Sequence, residues 1–477
     1  MTTAPESGGE VAVSERRDTG ERAFGPRFAT PLFMGAALNP INSSLIATAL
    51  VPIALALHVS AGRTTVLISS LYLTSAIAQP ICGRLSEIFG PRRVFLAGIA
   101  IVFAAGVLGG LAQNMPTLVV TRVLIGLGTS AGYPSAMLLI RRRAATVGLR
   151  QPPGRVIAGM TTTSAATLAI GPTVGGMLVA WFDWRAVFWV NVPVAVIAFV
   201  MALLWIAQDS DPVRGHSMRS LIIQVDLAGV LLFGGTITAL LVFLMDLPRL
   251  DWVALGITVV ATGVLVAVEL RVREPFFDLR LLVTRLPLTR TYARYCLTLL
   301  GIYVVLYGLT QWLQVGHRMS AYQAGLVLIP MGLLSAVTGR MVGRYRRLLP
   351  SLIISSAALL LGAIGTFFLT SHSPMWLVVV VTAVFGLVAG FGNVTNQTVL
   401  YKEAPAEKVG TASGLLRTFG YVGSIAAATI SGIAFHTRVD DSGLHMVAAI
   451  LIGIGIVVLL MTVLDRQLAE SDRQSLA

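Results

Sequence analysis

The chain has 477 residues, of which 55% are hydrophobic and only 12% charged, with a formal net charge of +13. So few charges cannot clothe the several soluble domains that this length would otherwise make, so lipid must solvate much of the surface. The positive excess is scattered in short islands between apolar runs, which excludes the contiguous basic face of a nucleic-acid binder.

Residues 1–30 mix Glu6, Glu10, Glu15 and Asp18 with Arg16, Arg17 and Arg22, a composition that predicts a disordered tail and not a secretory signal. Beyond it, apolar runs of about 20 residues match a hydrocarbon core about 30 Å thick, where only a helix satisfies its own backbone. Spans are predicted at Pro31 to His58, Thr64 to Leu85, Val94 to Ala112, Pro116 to Ile140, Arg155 to Trp181 and Ala186 to Ile206. A second series follows at Leu221 to Met245, Trp252 to Leu270, Thr291 to Val315, Ala321 to Val342, Leu349 to Leu369, Met375 to Leu400, Gly410 to Phe435 and Met446 to Leu464. The expectation is an all-α membrane protein of fourteen spans.

An even number of spans puts both termini and every even-numbered loop on one side of the bilayer. Of the 35 Lys and Arg residues, only Arg63, Arg185, Arg249, Arg318 and Arg438 fall in odd-numbered loops, and Arg122, Arg294 and Arg417 lie inside spans. All the others gather on the side of the termini, which is therefore expected to be cytoplasmic, in a bacterial cell membrane. Cys82 and Cys296 both fall in spans, and the six histidines show no ligand spacing. Neither a metal site nor a cofactor is expected, and with no phosphate loop or nucleophile elbow an enzyme is the minority reading.

The loop after the second span reads Gly83-Arg84-Leu85-Ser86-Glu87-Ile88-Phe89-Gly90-Pro91-Arg92-Arg93. Gly83 and Gly90 permit close approach and a tight turn, while Arg84, Glu87, Arg92 and Arg93 can latch neighbouring helices. An ordinary positive-inside loop explains the arginines but not two glycines and an acid at these intervals. The loop resembles the signature loop of the major facilitator superfamily, with Glu87 where that family has Asp. Gly339 to Arg347 is a compressed echo of it without the acid. Arg122 with Gly126 and Gly128 is similar to the family's fourth-span motif. Gly171-Pro172-Thr173-Val174-Gly175-Gly176 is similar to the fifth-span motif of its exporters, with Thr167 at the leading glycine. Trp184 to Pro193, Asp226-Leu227-Ala228-Gly229 and Glu274 to Arg280 resemble the fourteen-helix drug/proton antiporter branch.

That resemblance implies a major facilitator fold. A first six-helix half would cover 31–207, two auxiliary helices with linkers 208–290, a second half 291–465 and a cytoplasmic tail 466–477. It also implies alternating access around a midplane cavity, with Gly171-Pro172 flexing the fifth helix and the signature loop closing the cytoplasmic side. In the spans themselves, polar side chains at helical spacing are expected to face a cavity or another helix. Asn39, Asn42 and Ser43 form one such stripe, Asn393, Asn396 and Gln397 another, and Tyr303, Tyr307, Gln311 and Gln314 a third. Counting 1.5 Å per residue, Arg122 lies about 10 Å inside the outer boundary and Arg417 about 10 to 14 Å inside the cytoplasmic one. Each costs about 2.5 to 3.5 kcal/mol unless paired or wet. Backbone carbonyls or Asn39 are the structural partners to expect for Arg122, and Glu87 for Arg417.

The first span reads Leu38-Asn39-Pro40-Ile41-Asn42 where the antiporter branch carries an acid, and the core spans hold no Asp or Glu away from their ends. Asp226, Asp246 and Glu269 stand at the ends of the auxiliary spans. A cavity of arginines and amides suits neutral or anionic amphiphiles better than lipophilic cations, with the proton gradient kept as a candidate driving force and a monomer expected. The favoured activity is export. An importer or lipid-related carrier on the same fold, and a non-transporting sensor, are the alternatives.

Overall fold

The computed structural model describes residues 24–149, 154–209, 227–245, 251–272, 279–342, 348–403, 409–465, 467, 468 and 470. Helices occupy all fourteen expected places: α1 Pro26–Ala56, α2 Ala61–Phe89, α3 Pro91–Gly110, α4 Met115–Thr146, α5 Gly154–Trp181 and α6 Ala186–Trp205. Then come α7 Leu227–Met245, α8 Trp252–Glu269, α9 Leu286–Val315, α10 Ala321–Val342, α11 Leu349–Phe367, α12 Met375–Glu403, α13 Val409–Ala434 and α14 Asp441–Val463. Among the described residues twelve helices are long and apolar enough to cross a membrane; α7 and α13 stand outside that count, α7 offering a shorter apolar stretch, Ala228–Leu240. Twelve spans are thus supported directly.

The ends follow from the needs of orphan backbone groups. At the odd-loop end, α4, α8, α10 and α14 begin on side-chain caps from Asn114, Asp251, Ser320 and Asp440, which satisfy N–H groups that the helix leaves open. At the end bearing the termini, a proline stands in the first turn of α1, α3, α9 and α11, where its missing donor costs nothing. Here helices overrun the apolar runs: α1 starts at Pro26 rather than Pro31, and α4 reaches Thr146 rather than Ile140. Such extensions carry polar residues such as Arg141 to Arg143 past the end of the apolar run. The sequence signals at 1–23, Asp226, Asp246, Glu274 to Asp278 and Gly343 to Arg347 lie outside the described residues.

One pairing scheme occurs twice. In the first six helices α1 packs on α5, α2 on α4 and α3 on α6; in the last six α9 packs on α13, α10 on α12 and α11 on α14. Between the two sets, α2 meets α13, α5 meets α10 and α1 meets α9. The hairpin α7–α8 lies outside, with α7 against both α2 and α13. Its apolar contact joins Phe233 and Leu265 to Ala76, Ile77 and Tyr421. The largest buried cluster runs through both sets, so the core and the boundary between them are continuous.

Candidate functional site between the two helix sets

At the odd-loop end the two sets touch backbone to backbone. A Cβ on Gly62 would lie 2.6 Å from Gly432 O, and one on Gly432 would lie 2.6 Å from Thr65 Oγ1. On the other flank a Cβ on Gly176 would collide with Ala321 O and lie 2.8 Å from Tyr322 Cα. Thr173 Oγ1 donates to Gly325 O at 3.0 Å across the same seam. Gly171 and Gly175 serve the opposite face of α5, where added carbons would meet Ser44 and Leu45 of α1. The glycine-proline motif therefore lets one helix approach two neighbours at once, and Pro172 sits inside α5 where α10 crosses it.

Halfway across, the two sets face each other through side chains. Tyr303 stacks on Tyr307 at 5.5 Å, Tyr72 meets Tyr303 edge-on at 5.3 Å, and Tyr421 lies 5.8 Å from Tyr72. The Tyr72 and Tyr307 hydroxyls are 3.0 Å apart, and Tyr307 also donates to Ser43 O at 3.0 Å. Arg122 reaches the same region, its Nε donating to Leu67 O at 2.9 Å and Nη1 to Asn42 O at 3.1 Å. Backbone carbonyls are thus its partners, and Asn39 instead donates to Ser75 Oγ and Thr129 Oγ1 at 2.9 and 3.0 Å. Gln311 is fully buried with neither amide atom hydrogen-bonded.

Toward the end bearing the termini, the two sets are joined through side chains. Tyr421 donates to Gln79 Oε1 at 3.0 Å, and the Arg417 guanidinium lies 3.5 Å over the Tyr133 ring. Arg417 is therefore stacked on an aromatic face and does not take the expected latch to Glu87. Glu87 itself accepts from Arg84 at 2.8 Å, one turn away on an exposed face. The signature loop is braced by Asp209 at the end of α6, whose side chain is 3% exposed. Its carboxylate accepts the N–H groups of Arg92 and Arg93 at 3.3 and 2.9 Å, and Arg142 stands 3.6 Å away. Gly90 makes this possible: its φ of 98° suits only glycine, and a Cβ there would strike Asp209. Gly83 faces Pro134, and the Arg92 guanidinium donates to Leu203 O at 2.9 Å.

The three polar stripes divide. Asn42 donates to Asn191 Oδ1 at 2.7 Å inside the first set, and Asn396 accepts from Arg294 Nε at 2.9 Å inside the second. Both spend their amides on structure, because residues at i, i+3 and i+4 sweep an arc wide enough to face a cavity and a neighbouring helix together. Ser43 returns its hydroxyl to Pro40 O but offers its carbonyl to Tyr307. Gln314 makes a long bond to Thr310 O at 3.4 Å, Asn393 Oδ1 has no partner, and Asn393 and Gln397 stay half-buried. A π-helical segment at Val305–Leu309 in α9, and another at Val388–Gly392 in α12, shift the register just before these residues.

Four features gave no periodic signal: Gly62 with Gly432, Asp209, the Gln79–Tyr421 bond, and a charge cluster where α9, α12 and α14 converge. In that cluster Arg294 and Asp465 are each 1% exposed and 3.6 Å apart, with Arg290 3.5 Å from the same carboxylate. Thr291 donates to Glu403 at 3.1 Å beside them. Glu269 is fully buried at the end of α8.

A family profile described as Major Facilitator Superfamily matches residues 32–428. The chain is 32% identical to the uncharacterized MFS-type transporter YwoD of Bacillus subtilis, over 91% of this chain and 96% of that one. It is 28% identical to the tetracenomycin C resistance and export protein of Streptomyces glaucescens, covering 86% and 75%. Among solved structures, one from a study of substrate recognition in proton-dependent oligopeptide transporters superposes with a TM-score of 0.66 at 13% identity, covering 94% of this chain and 100% of that one.

Proposed function

Since this chain belongs to the major facilitator superfamily, we propose that it exports small amphiphilic compounds by alternating access between its two six-helix sets. The observation that carries the direction is the α5 motif: Gly171 to Gly176, which resembles that of the family's exporters, lies in the seam where α5 meets α10. Relatives named for antibiotic resistance and export support the same reading.

The chain is a multi-pass membrane protein. Its proposed setting is the bacterial cytoplasmic membrane, as a monomer with both termini cytoplasmic. The proposed cargo is neutral or anionic, because the middle of the seam offers phenols, amides and a guanidinium and, among the described residues, no carboxylate. For the proton gradient as driving force, Glu403 and Asp465 beside Arg294 are the proposed responding carboxylates.

The test is expression in a strain lacking its major pumps, with growth inhibition and accumulation measured across cationic, neutral and anionic amphiphiles. Lower accumulation and higher tolerance for neutral or anionic compounds are expected. Raised accumulation would instead make the protein an importer, and a response confined to cationic dyes would overturn the proposed cargo.

A further inference from the structure

Two arginines are buried to the same degree, and they differ in one respect. Arg122 and Arg294 are each 1% exposed. Arg294 has Asp465 3.6 Å away. Arg122 has two backbone carbonyls, which orient the guanidinium without neutralising it, and its Nη2 is buried with no partner. Neither carbonyl carries a charge, and among the described residues no carboxylate pairs with this guanidinium. A guanidinium desolvated without a counter-ion is strongly disfavoured in a membrane interior. The centre is therefore short of one negative charge.

Its surroundings restrict what could bring that charge. Tyr72, Tyr303 and Tyr307 present ring faces and edges within 5.3 to 5.5 Å of one another, from α2 on one side and α9 on the other. Flat π-systems pack in such offset and edge-on arrangements better than alkyl chains do. Four residues beyond Tyr307, Gln311 holds a donor and an acceptor that are buried and unpartnered. A purely aliphatic chain would leave both unsatisfied, and a cation would be repelled by Arg122.

Resting on the transporter reading above, we propose that the cargo is an aromatic anion, a phenolate or aromatic carboxylate, with Arg122 as its counter-ion, its ring among the tyrosines and a polar substituent on Gln311. Arg122 is then a specificity-determining residue.

The experiment measures binding to the purified full-length chain in detergent by titration calorimetry, with three probes: 6-hydroxy-2-naphthoate, its neutral amide 6-hydroxy-2-naphthamide, and 4-hydroxycyclohexanecarboxylate. Naphthoate is expected to bind at least tenfold more tightly than either of the others. Arg122→Gln should reduce the naphthoate-to-naphthamide ratio to near one, Arg122→Lys should restore part of it, and Gln311→Leu should weaken both aromatic probes while keeping the ratio. Equal affinity for naphthoate and naphthamide in the unaltered chain overturns the proposal, as does an anion preference that survives Arg122→Gln, or no binding of any probe. If Arg122→Gln is not monodisperse, the ratio in the unaltered chain and in Arg122→Lys decides. Binding is read without a membrane, so absence of flux in cells would count against export and leave this ratio standing.

Discussion

The carboxylate of Asp209 accepts two backbone N–H groups at the start of α3 and faces Arg142, whereas Glu87 is paired with Arg84 on an exposed surface. A buried acid capping a helix N-terminus and charge-paired gains from the dipole, the hydrogen bonds and the arginine together. Asp209→Ala is expected to cost about 2 kcal/mol, and Glu87→Ala within about 0.5 kcal/mol, since exposed pairs contribute little. Thermal unfolding in detergent checks this: the midpoint should fall for Asp209→Ala and stay put for Glu87→Ala. Transport separates structure from gating. If Glu87 engages its neighbours when the inner end closes, Glu87→Ala should slow transport at unchanged stability, and unchanged transport removes Glu87 from the gate. The loop itself was legible because glycines and charges cluster within a few residues. Asp209 was not, because it lies 117 residues from Arg92 and no local spacing marks it.

At the scale of elements, helix identity was legible and helix facing only partly so. Runs of apolar residues mark a span whatever it packs against, whereas the π segments of α9 and α12 displace Gln311, Gln314 and Asn393 from where a uniform 3.6-residue period puts them. In α5 the motif was visible as letters, but its double contact with α1 and α10 appears only once the helices are assembled. Gly176→Leu should drive α5 and α10 apart at the odd-loop end. With Cys82 and Cys296 replaced by serine, labelling of Ser43→Cys by an impermeant maleimide added on that side should then rise; unchanged labelling would mean that this seam is not the closure. The convergence of α9, α12 and α14 makes a separate prediction. Asp465→Asn removes the ion-pair partner of Arg294 and is expected to cost about 3 kcal/mol, while Arg294→Met combined with Asp465→Leu should recover most of it. Equal unfolding midpoints for the single and double variants would refute that account.

For the whole molecule, the repeated pairing of α1 with α5 and α9 with α13, and so on through each set, makes two similar bodies meeting along two flanks. Composition marked fourteen apolar crossings, of which twelve are supported among the described residues, and charge proposed their sense. They could not indicate which helices pair, since a lipid-facing and a protein-facing apolar side chain are chemically alike. The proposed orientation is checked with a single cysteine at Arg142: labelling only after the membrane is permeabilised is expected, and labelling of intact cells would reverse the topology. One flank differs from the other. The α7–α8 hairpin lies over the line where α2 meets α13, and it does so through Phe233, Leu265, Ala76, Ile77 and the ring of Tyr421. Dispersion between such surfaces has little directional preference, so a small slip exchanges one set of neighbours for another of similar strength. Under the proposed alternating access, the hairpin would act as a greased bearing, keeping the flank covered against lipid while the helices beneath it slide.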